Sequence, residues 1–319
     1  MKTAEHTTID PLKLFWIGLI SSIVPVGIYL LIGGNKQIAD FYVYGKSLDL
    51  SRKKSFFWKL FLVPKRYFRH FYVLSLLIFA TCLALVVMIS VPSRSSQELE
   101  VKFNYFSKHY KSVFKIETSN SLEFTSSLIF TIVLMIIQSS RRLYESLFVS
   151  VYSSQSKINI IHYLFGHAFY IAAATSTLCP IIMSPKESKH DIITLLDNLV
   201  DRKRAILFVL FMYTSHYQHI CHKILANLRK DKTGGVIAEQ HFVPSGGPFE
   251  YVSCPHFLTE VLIYLLIVTI QKFESTYWNL IFLLVLSTQT INALTEHKWY
   301  KRKYKDYPKS RKAIFPKLL

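Results

Sequence analysis

Residues 234–260 read GGVIAEQHFVPSGGPFEYVSCPHFLTE and run straight into the apolar sequence Val261-Leu262-Ile263-Tyr264. This polar run holds Gly234, Gly235, Gly246 and Gly247, four of the chain's ten glycines, together with Pro244, Pro248 and Pro255. Glycine lets the backbone take positive φ and approach a ligand closely, and proline stiffens the loop around it. The run reads as a structured loop feeding a membrane helix that opens at Phe257 and carries Glu260 in its first turns. His241, Glu250, Tyr251, His256 and Glu260 are gathered there, the expected surroundings of a polar ligand. Composition alone favours a turn-rich connector; the rest of the chain reverses that.

The chain has 319 residues, is 51% hydrophobic and carries a formal net charge of +18, with a mean hydropathy of +0.27. A soluble domain is rarely that apolar. A nucleic-acid-binding protein shares the basic surplus but does not spend its length on apolar runs. Apolar spans with basic loops indicate a multi-span protein facing anionic lipid. Cys82, Cys179, Cys221 and Cys254 have no paired spacing, so neither a disulfide framework nor a zinc site is expected. His219 with Cys221 or His222 lacks further ligands at metal-binding spacing, and no metal is expected.

Seven apolar spans can be read: Leu12–Ile32, Phe71–Val91, Leu122–Gln138, Ile158–Met183, Ala205–Leu225, Phe257–Ile270 and Trp278–Leu294. The first, kinked at Pro25 and Gly27, is too long for the apolar core of a cleaved signal peptide. The fifth is wet at its far end, with Ser215, His216, Gln218, His219, Cys221 and His222. The loop at 35–69 carries Lys36, Lys46, Arg52, Lys53, Lys54, Lys59, Lys65, Arg66 and Arg69 against Asp40 and Asp49. Its Phe41, Tyr42, Tyr44, Phe56, Phe57 and Trp58 suit a headgroup layer. This loop, 139–157, 226–256 and the tail at 296–319 hold most of the lysines and arginines. They are expected to be cytosolic, with the N-terminus lumenal and the C-terminus cytosolic. The fold class is therefore an all-α membrane bundle of about seven transmembrane helices. Residues 1–121 form an N-terminal membrane part with two helices, and 122–319 the catalytic part.

Every motif-like segment then falls on the cytosolic side. Arg142, Arg229, Lys230 and Lys232 can bind phosphates. Glu260 can accept from an amide or a ribose hydroxyl, and Tyr251 and Tyr300 can stack or donate. Singly, each arginine also suits a lipid headgroup and each histidine an interhelical hydrogen bond. Together they fit an anionic, amide-bearing ligand such as a nicotinamide dinucleotide. No G-x-G-x-x-G is present, so a Rossmann unit is excluded.

Four segments carry a family resemblance: Gln138-Ser-Ser-Arg-Arg-Leu-Tyr-Glu145, His219–Lys230 (HICHKILANLRK), Pro244–Glu260 (PSGGPFEYVSCPHFLTE) and Glu296–Pro316 (EHKWYKRKYKDYPKSRKAIFP). They resemble the steroid 5α-reductase family, in its polyprenol reductase branch. The resemblance covers the third span through the tail; the first 120 residues match in general shape. It implies a multi-pass enzyme of the endoplasmic reticulum membrane that uses NADPH. The enzyme would saturate the α-isoprene double bond of a long-chain polyprenoid on the route to dolichol and protein N-glycosylation. The family's cofactor-contacting positions fall on Arg142, Gln218, His222, Arg229, His256, Glu260 and Tyr300, with Tyr251 among them in the motif. The branch places a functional histidine at His297. The glutamine-glutamate pair of steroid-reducing members is absent, and Gly247-Pro248 stand where the branch often has aspartate and tryptophan.

Hydride is a nucleophile and adds to a carbon–carbon double bond only when an electron sink is conjugated to it. An allylic alcohol has none; an α,β-unsaturated aldehyde has its carbonyl. A donor to that oxygen is the main contribution expected of the protein, with His297, Tyr144 and Tyr300 as candidates. Polyprenal is thus the expected acceptor, and conversion of polyprenol needs an oxidising partner enzyme. A 3-oxo-5α-steroid 4-dehydrogenase, a very-long-chain enoyl-CoA reductase, an isoprenylcysteine methyltransferase using S-adenosylmethionine, and a seven-span receptor or scaffold are the alternatives.

Overall fold

A computed structural model describes residues 9–34, 61–91, 97–99, 101–105, 108, 114, 116–119, 121–152, 156–184, 191–231, 233, 235–236 and 242–319. Most of the basic, aromatic 35–69 loop lies outside the described residues, as do Lys232, Gly234 and His241. Seven long helices occupy the positions of the seven apolar spans. They are α1 (Pro11–Leu31), α2 (Phe68–Ser90), α3 (Leu122–Tyr144), α4 (Ile160–Ile182), α6 (Arg202–Asn227), α7 (Pro255–Ile270) and α8 (Thr276–Lys303). A short α5 (Ile192–Asp197) precedes α6. Among the described residues, five segments are long and apolar enough to cross a membrane: α1, Lys65–Ser90, Leu122–Val149, α4 and α8. The other two fall short for different reasons. Helix α6 is long but polar in its second half, and α7 has 16 residues, about 24 Å at 1.5 Å per residue, against a hydrocarbon core of about 30 Å.

Local chemistry starts these helices where they start. Asp10 caps α1 by accepting from Lys13 N at 3.0 Å, Ser121 caps α3 from Phe124 N at 3.1 Å, and Asp201 caps α6 from Arg204 N at 2.8 Å. Pro255 stands in the first turn of α7, where its missing N–H costs nothing. Two helices run further than apolarity predicts. Helix α3 continues through Arg141 and Arg142 to Tyr144 and passes into a π turn at Glu145–Val149. Helix α8 continues to Lys303. In α3 the charged extension stays helical because Arg141 and Glu145 pair one turn apart.

Helix α3 is the centre of the bundle. Ser126, Ser127 and Thr131 are buried on it, small side chains that let neighbouring helices approach where lipid offers no hydrophobic drive. Helices α2 and α4 pack on it, α1 packs on α8, and α7 lies between α6 and α8. Trp16 of α1 and Trp278 of α8 are fully buried, and each indole N–H donates to α4, to Ser176 Oγ at 2.9 Å and Thr177 Oγ1 at 3.1 Å respectively. Such interhelical bonds contribute about 0.6–2 kcal/mol each in a bilayer, and here they set the register of three helices.

The two ends of the bundle differ. At one end the Tyr277 hydroxyl donates to Asp10 Oδ2 at 2.8 Å, and Thr276 N donates to Glu117 Oε2 at 2.8 Å. At the other, β1 (Leu62–Pro64) pairs antiparallel with β2 (Lys157–Asn159), Leu62 opposite Asn159. There also the C-terminal tail clasps the 244–254 loop. Ser253 N donates to Lys312 O at 2.7 Å, Cys254 N to Ala313 O at 3.1 Å, and Lys312 N to Tyr251 O at 3.1 Å. Arg311, 3% exposed, donates to Pro244 O at 3.0 Å. Gly246 and Gly247 take φ +84° and +56° in this loop, a region costly for residues with a Cβ.

Candidate active site

The clasped end opens into a cavity of about 1110 Å³ lined by α1, α2, α3, α4, α6, α7 and α8. Sites for one drug-sized ligand run to about 300–1,000 Å³, so this cavity is at the roomy end of that range. Part of its wall is polar: Lys65, Gln138, Arg142, Gln218, Arg229 and Glu260. Another part is apolar: Leu19, Ile23, Phe165, Phe169, Leu284 and Val285.

Gln138, Arg142, Gln218 and Glu260 of this wall belong to one hydrogen-bonded network across α2, α3, the π turn, α6 and α7. Glu145, 0% exposed, is its anchor. Both Arg141 and Arg142 pair with its carboxylate, and His219 Nδ1 and His222 Nδ1 lie 2.9 and 2.8 Å from its two oxygens. Arg142 also donates to the Tyr72 hydroxyl at 2.7 Å and lies over the Tyr72 ring at 5.0 Å. Arg141 reaches Gln138 Oε1 at 3.0 Å and the side-chain oxygen of Gln218. Gln218 in turn donates to Glu260 Oε2 at 2.6 Å and to His256 O at 3.2 Å. Glu145 and Glu260 together balance the two arginines and set their geometry, and the basic surplus of the wall comes from Lys65 and Arg229.

Of the residues singled out from sequence, Arg142, Gln218, His222, Arg229, His256, Glu260 and Tyr300 all line the cavity. They come from α3, α6, α7 and α8 and the turn after α6. Arg229 is steadied by donating to Val151 O at 2.7 Å. Tyr300 is buried and stacks on Tyr307, rings 5.4 Å apart. Three others stand off the lining. Tyr144 and Tyr251 are 53% and 69% exposed. His297 Nδ1 lies 2.6 Å from Ser253 Oγ, which is also 2.6 Å from the Tyr307 hydroxyl, within the clasp. His219, Cys221 and His222 form no metal group: among the described residues none holds three or more candidate ligands together.

Sequence reasoning missed several residues of the site. Glu145 was signalled by the spacing Arg141-Arg142-x-x-Glu145, which puts a carboxylate one turn from both arginines. Tyr170 and Tyr264 line the cavity from α4 and α7; each reads in sequence as an ordinary aromatic of an apolar span. Tyr152 lines it from the segment after the π turn. Burial pushes the Tyr152 phenol up, so it stays protonated and able to donate. Gly166 faces Phe71 so closely that an added Cβ would sit 2.8 Å from the ring, which lets α4 approach α2 beside the cavity.

The family model described as 3-oxo-5-alpha-steroid 4-dehydrogenase matches residues 188–319. Polyprenal reductase of Homo sapiens is 30% identical over 326 residues, covering 98% of this chain and 97% of that protein. That of Drosophila melanogaster is 36% identical over 260 residues, 81% of this chain and 77% of that protein. That of Xenopus tropicalis is 34% identical over 323 residues, 96% and 98% respectively. Similarity that spans the N-terminal helices as well as the clasped loop and tail covers every element lining the cavity, and the chain belongs to the steroid 5α-reductase family, to which these polyprenal reductases are its relatives.

Proposed function

We propose that this protein is an NADPH-dependent reductase that saturates the α-isoprene double bond of a polyprenal. The observation that carries this reading is the cavity's division into a basic, hydrogen-bonded wall and an apolar wall. The residues fit a nicotinamide dinucleotide phosphate. Arg142, Arg229 and Lys65 are cations on one cavity, suited to its phosphates, and Glu260 with Gln218 offers acceptors and a donor to its amide or ribose. His222, His256 and Tyr300 complete that wall, and Tyr251 is assigned a contact from the exposed loop. NADPH, when bound, would supply the hydride for the β-carbon, and the second hydrogen reaches the α-carbon as a proton. The chain's own residues place the enal, exclude water and donate to the carbonyl oxygen as charge gathers there. Tyr300 comes first among the donor candidates because it lines the cavity; His297 and Tyr144 follow. The apolar wall takes the first isoprene units, and the remaining tail leaves between helices into lipid.

Purified protein with NADPH, offered a polyprenal, a polyprenol, a 3-oxo-Δ4-steroid and an enoyl-CoA separately, should add two hydrogens to the polyprenal alone, read by mass spectrometry. Polyprenol should react only when an oxidising partner enzyme is supplied. Clean saturation of polyprenol by the purified protein, or inertness towards polyprenal, overturns the reading. In detergent, NADPH should raise the thermal midpoint and S-adenosylmethionine should not.

The same proposal places the protein in the endoplasmic reticulum membrane with seven crossings, N-terminus lumenal and C-terminus cytosolic, the basic clasped end in the cytosol. It also treats 122–319 as the catalytic part and 1–121 as an accessory one that closes the cavity. A C-terminal tag should be reachable after selective permeabilisation of the plasma membrane and an N-terminal tag protected; two reachable termini would mean an even number of crossings.

A further inference from the structure

Helix α8 presents one polar stripe to the cavity. Thr288, Gln289, Asn292, Glu296 and Tyr300 all line it, at the three- and four-residue spacing of a single helix face. Below them on the same face Leu284 and Val285 line it with apolar surface. Gln289 is distinctive within the stripe: its side-chain oxygen is buried and has no hydrogen-bond partner among the described residues. A buried amide left unmade is unfavourable in any setting and most of all at membrane depth. In a cavity wall it is explained by a ligand that completes it.

Its depth identifies that ligand. Helices α7 and α8 are joined by a short turn after Ile270 and pack together. Counting residues outward from the turn puts Gln289 level with Phe257 and Val285 level with Val261. The contact of Cys254 Sγ with Ala293 O, 4.0 Å, agrees with this register. Glu260, the inner end of the Gln218–Glu260 bond, therefore lies at the level between Val285 and Gln289. Gln289 sits where the hydrogen-bonded wall gives way to the apolar one. A prenoid entering from the apolar side arrives there with its oxygen-bearing end foremost.

On the reading that this is a prenal reductase, we propose that Gln289 is a specificity-determining residue that binds the oxygen of the prenoid head group. Its carboxamide carries both kinds of polar group: the NH₂ donates to an aldehyde oxygen, and the carbonyl accepts from a hydroxyl. As placed, the unpartnered end is the oxygen, which completes with a hydroxyl; with the amide turned over, an assignment of its two ends that is equally open, the NH₂ stands there and donates to an aldehyde oxygen. A steroid or acyl chain with no oxygen at that depth would leave the amide unmade and be disfavoured.

Gln289→Leu tests this by separating substrate from stability. Losing the contact should lower kcat/KM for polyprenal about 10- to 100-fold. Affinity for NADPH should be unchanged, measured by titration without prenal. The thermal midpoint should be equal or higher, because an unmade buried amide has been removed. Unchanged kcat/KM, weakened NADPH binding, or a midpoint that falls together with activity each overturns the assignment. Should Gln289→Leu not fold, Gln289→Met carries the same expectations at nearly the same shape. Wild-type protein inert towards polyprenal would remove the reductase reading itself, whereas an active wild type matched by Gln289→Leu removes the Gln289 role alone.

Discussion

Glu145→Gln is expected to destabilise this protein more than any other single change at the polar wall. Glu145 is fully buried and receives Arg141, Arg142, His219 and His222 at once. Replacing its charge leaves two guanidinium groups beside one another inside the bundle without their counterion. Removing one partner of a buried ion pair costs about 3–5 kcal/mol, because the remaining charge stays desolvated. The cost is not the net value of the pair, and that difference can be measured. Gln at position 145 combined with Arg141→Gln should recover part of the loss, because Arg141 is then no longer an uncompensated cation; contacting residues couple in this way. The thermal midpoint of the detergent-solubilised protein should fall for Glu145→Gln and rise again in the double variant. An unchanged midpoint for the single variant would show that the network is not what holds α3 and α6 together.

Tyr300→Phe should slow reduction of polyprenal about 10²-fold, a larger effect than any loss of NADPH affinity from its place on the cofactor wall. Deleting one donor to a developing oxyanion typically costs about 10²–10³ in turnover, and an interaction realised mainly in the transition state leaves ground-state binding alone. Tyr300 is buried on the cavity wall and held in orientation by its stack on Tyr307, so removing one oxygen should not disturb packing. His297→Ala makes the informative comparison. His297 is bonded into the clasp through Ser253 and Tyr307. If it is the donor, turnover falls by a similar factor with stability intact. If it holds the clasp, turnover and thermal midpoint fall together and NADPH affinity follows, because the clasped loop leads directly into α7 with His256 and Glu260. Normal turnover in Tyr300→Phe would pass the donor role to His297 or Tyr144, and Tyr144→Phe separates those two.

Much of this protein was legible along the chain. Apolar runs marked the positions of the seven long helices, five of them in segments long and apolar enough for a bilayer, because a membrane helix satisfies its backbone within one segment and so writes itself into local composition. The polar residues of the cavity wall were visible for a related reason. Arg142, Gln218, His222 and Glu260 are costly at helix ends buried in a bundle, and such residues stand out against apolar neighbours. The extension of α3 into a π turn was less visible, because it depends on a carboxylate shared among groups from two helices.

Tertiary structure alone decided which tyrosines and glutamines face the cavity. Tyr170, Tyr264 and Gln289 differ from other polar and aromatic residues of their helices only in direction, and direction depends on the packing of seven helices against one another. The same holds for His297. Its position at the end of the last span is plain in the sequence, yet its hydrogen-bond partner Ser253 and its ring neighbour Tyr307 come from the loop and the tail. The sequence by itself determined the position, order and polarity of the long helices, which are short-range properties of the chain. The shared Glu145, the tail clasp and the meeting of polar and apolar walls at Gln289 are long-range, and they arise only once packing brings distant segments into contact.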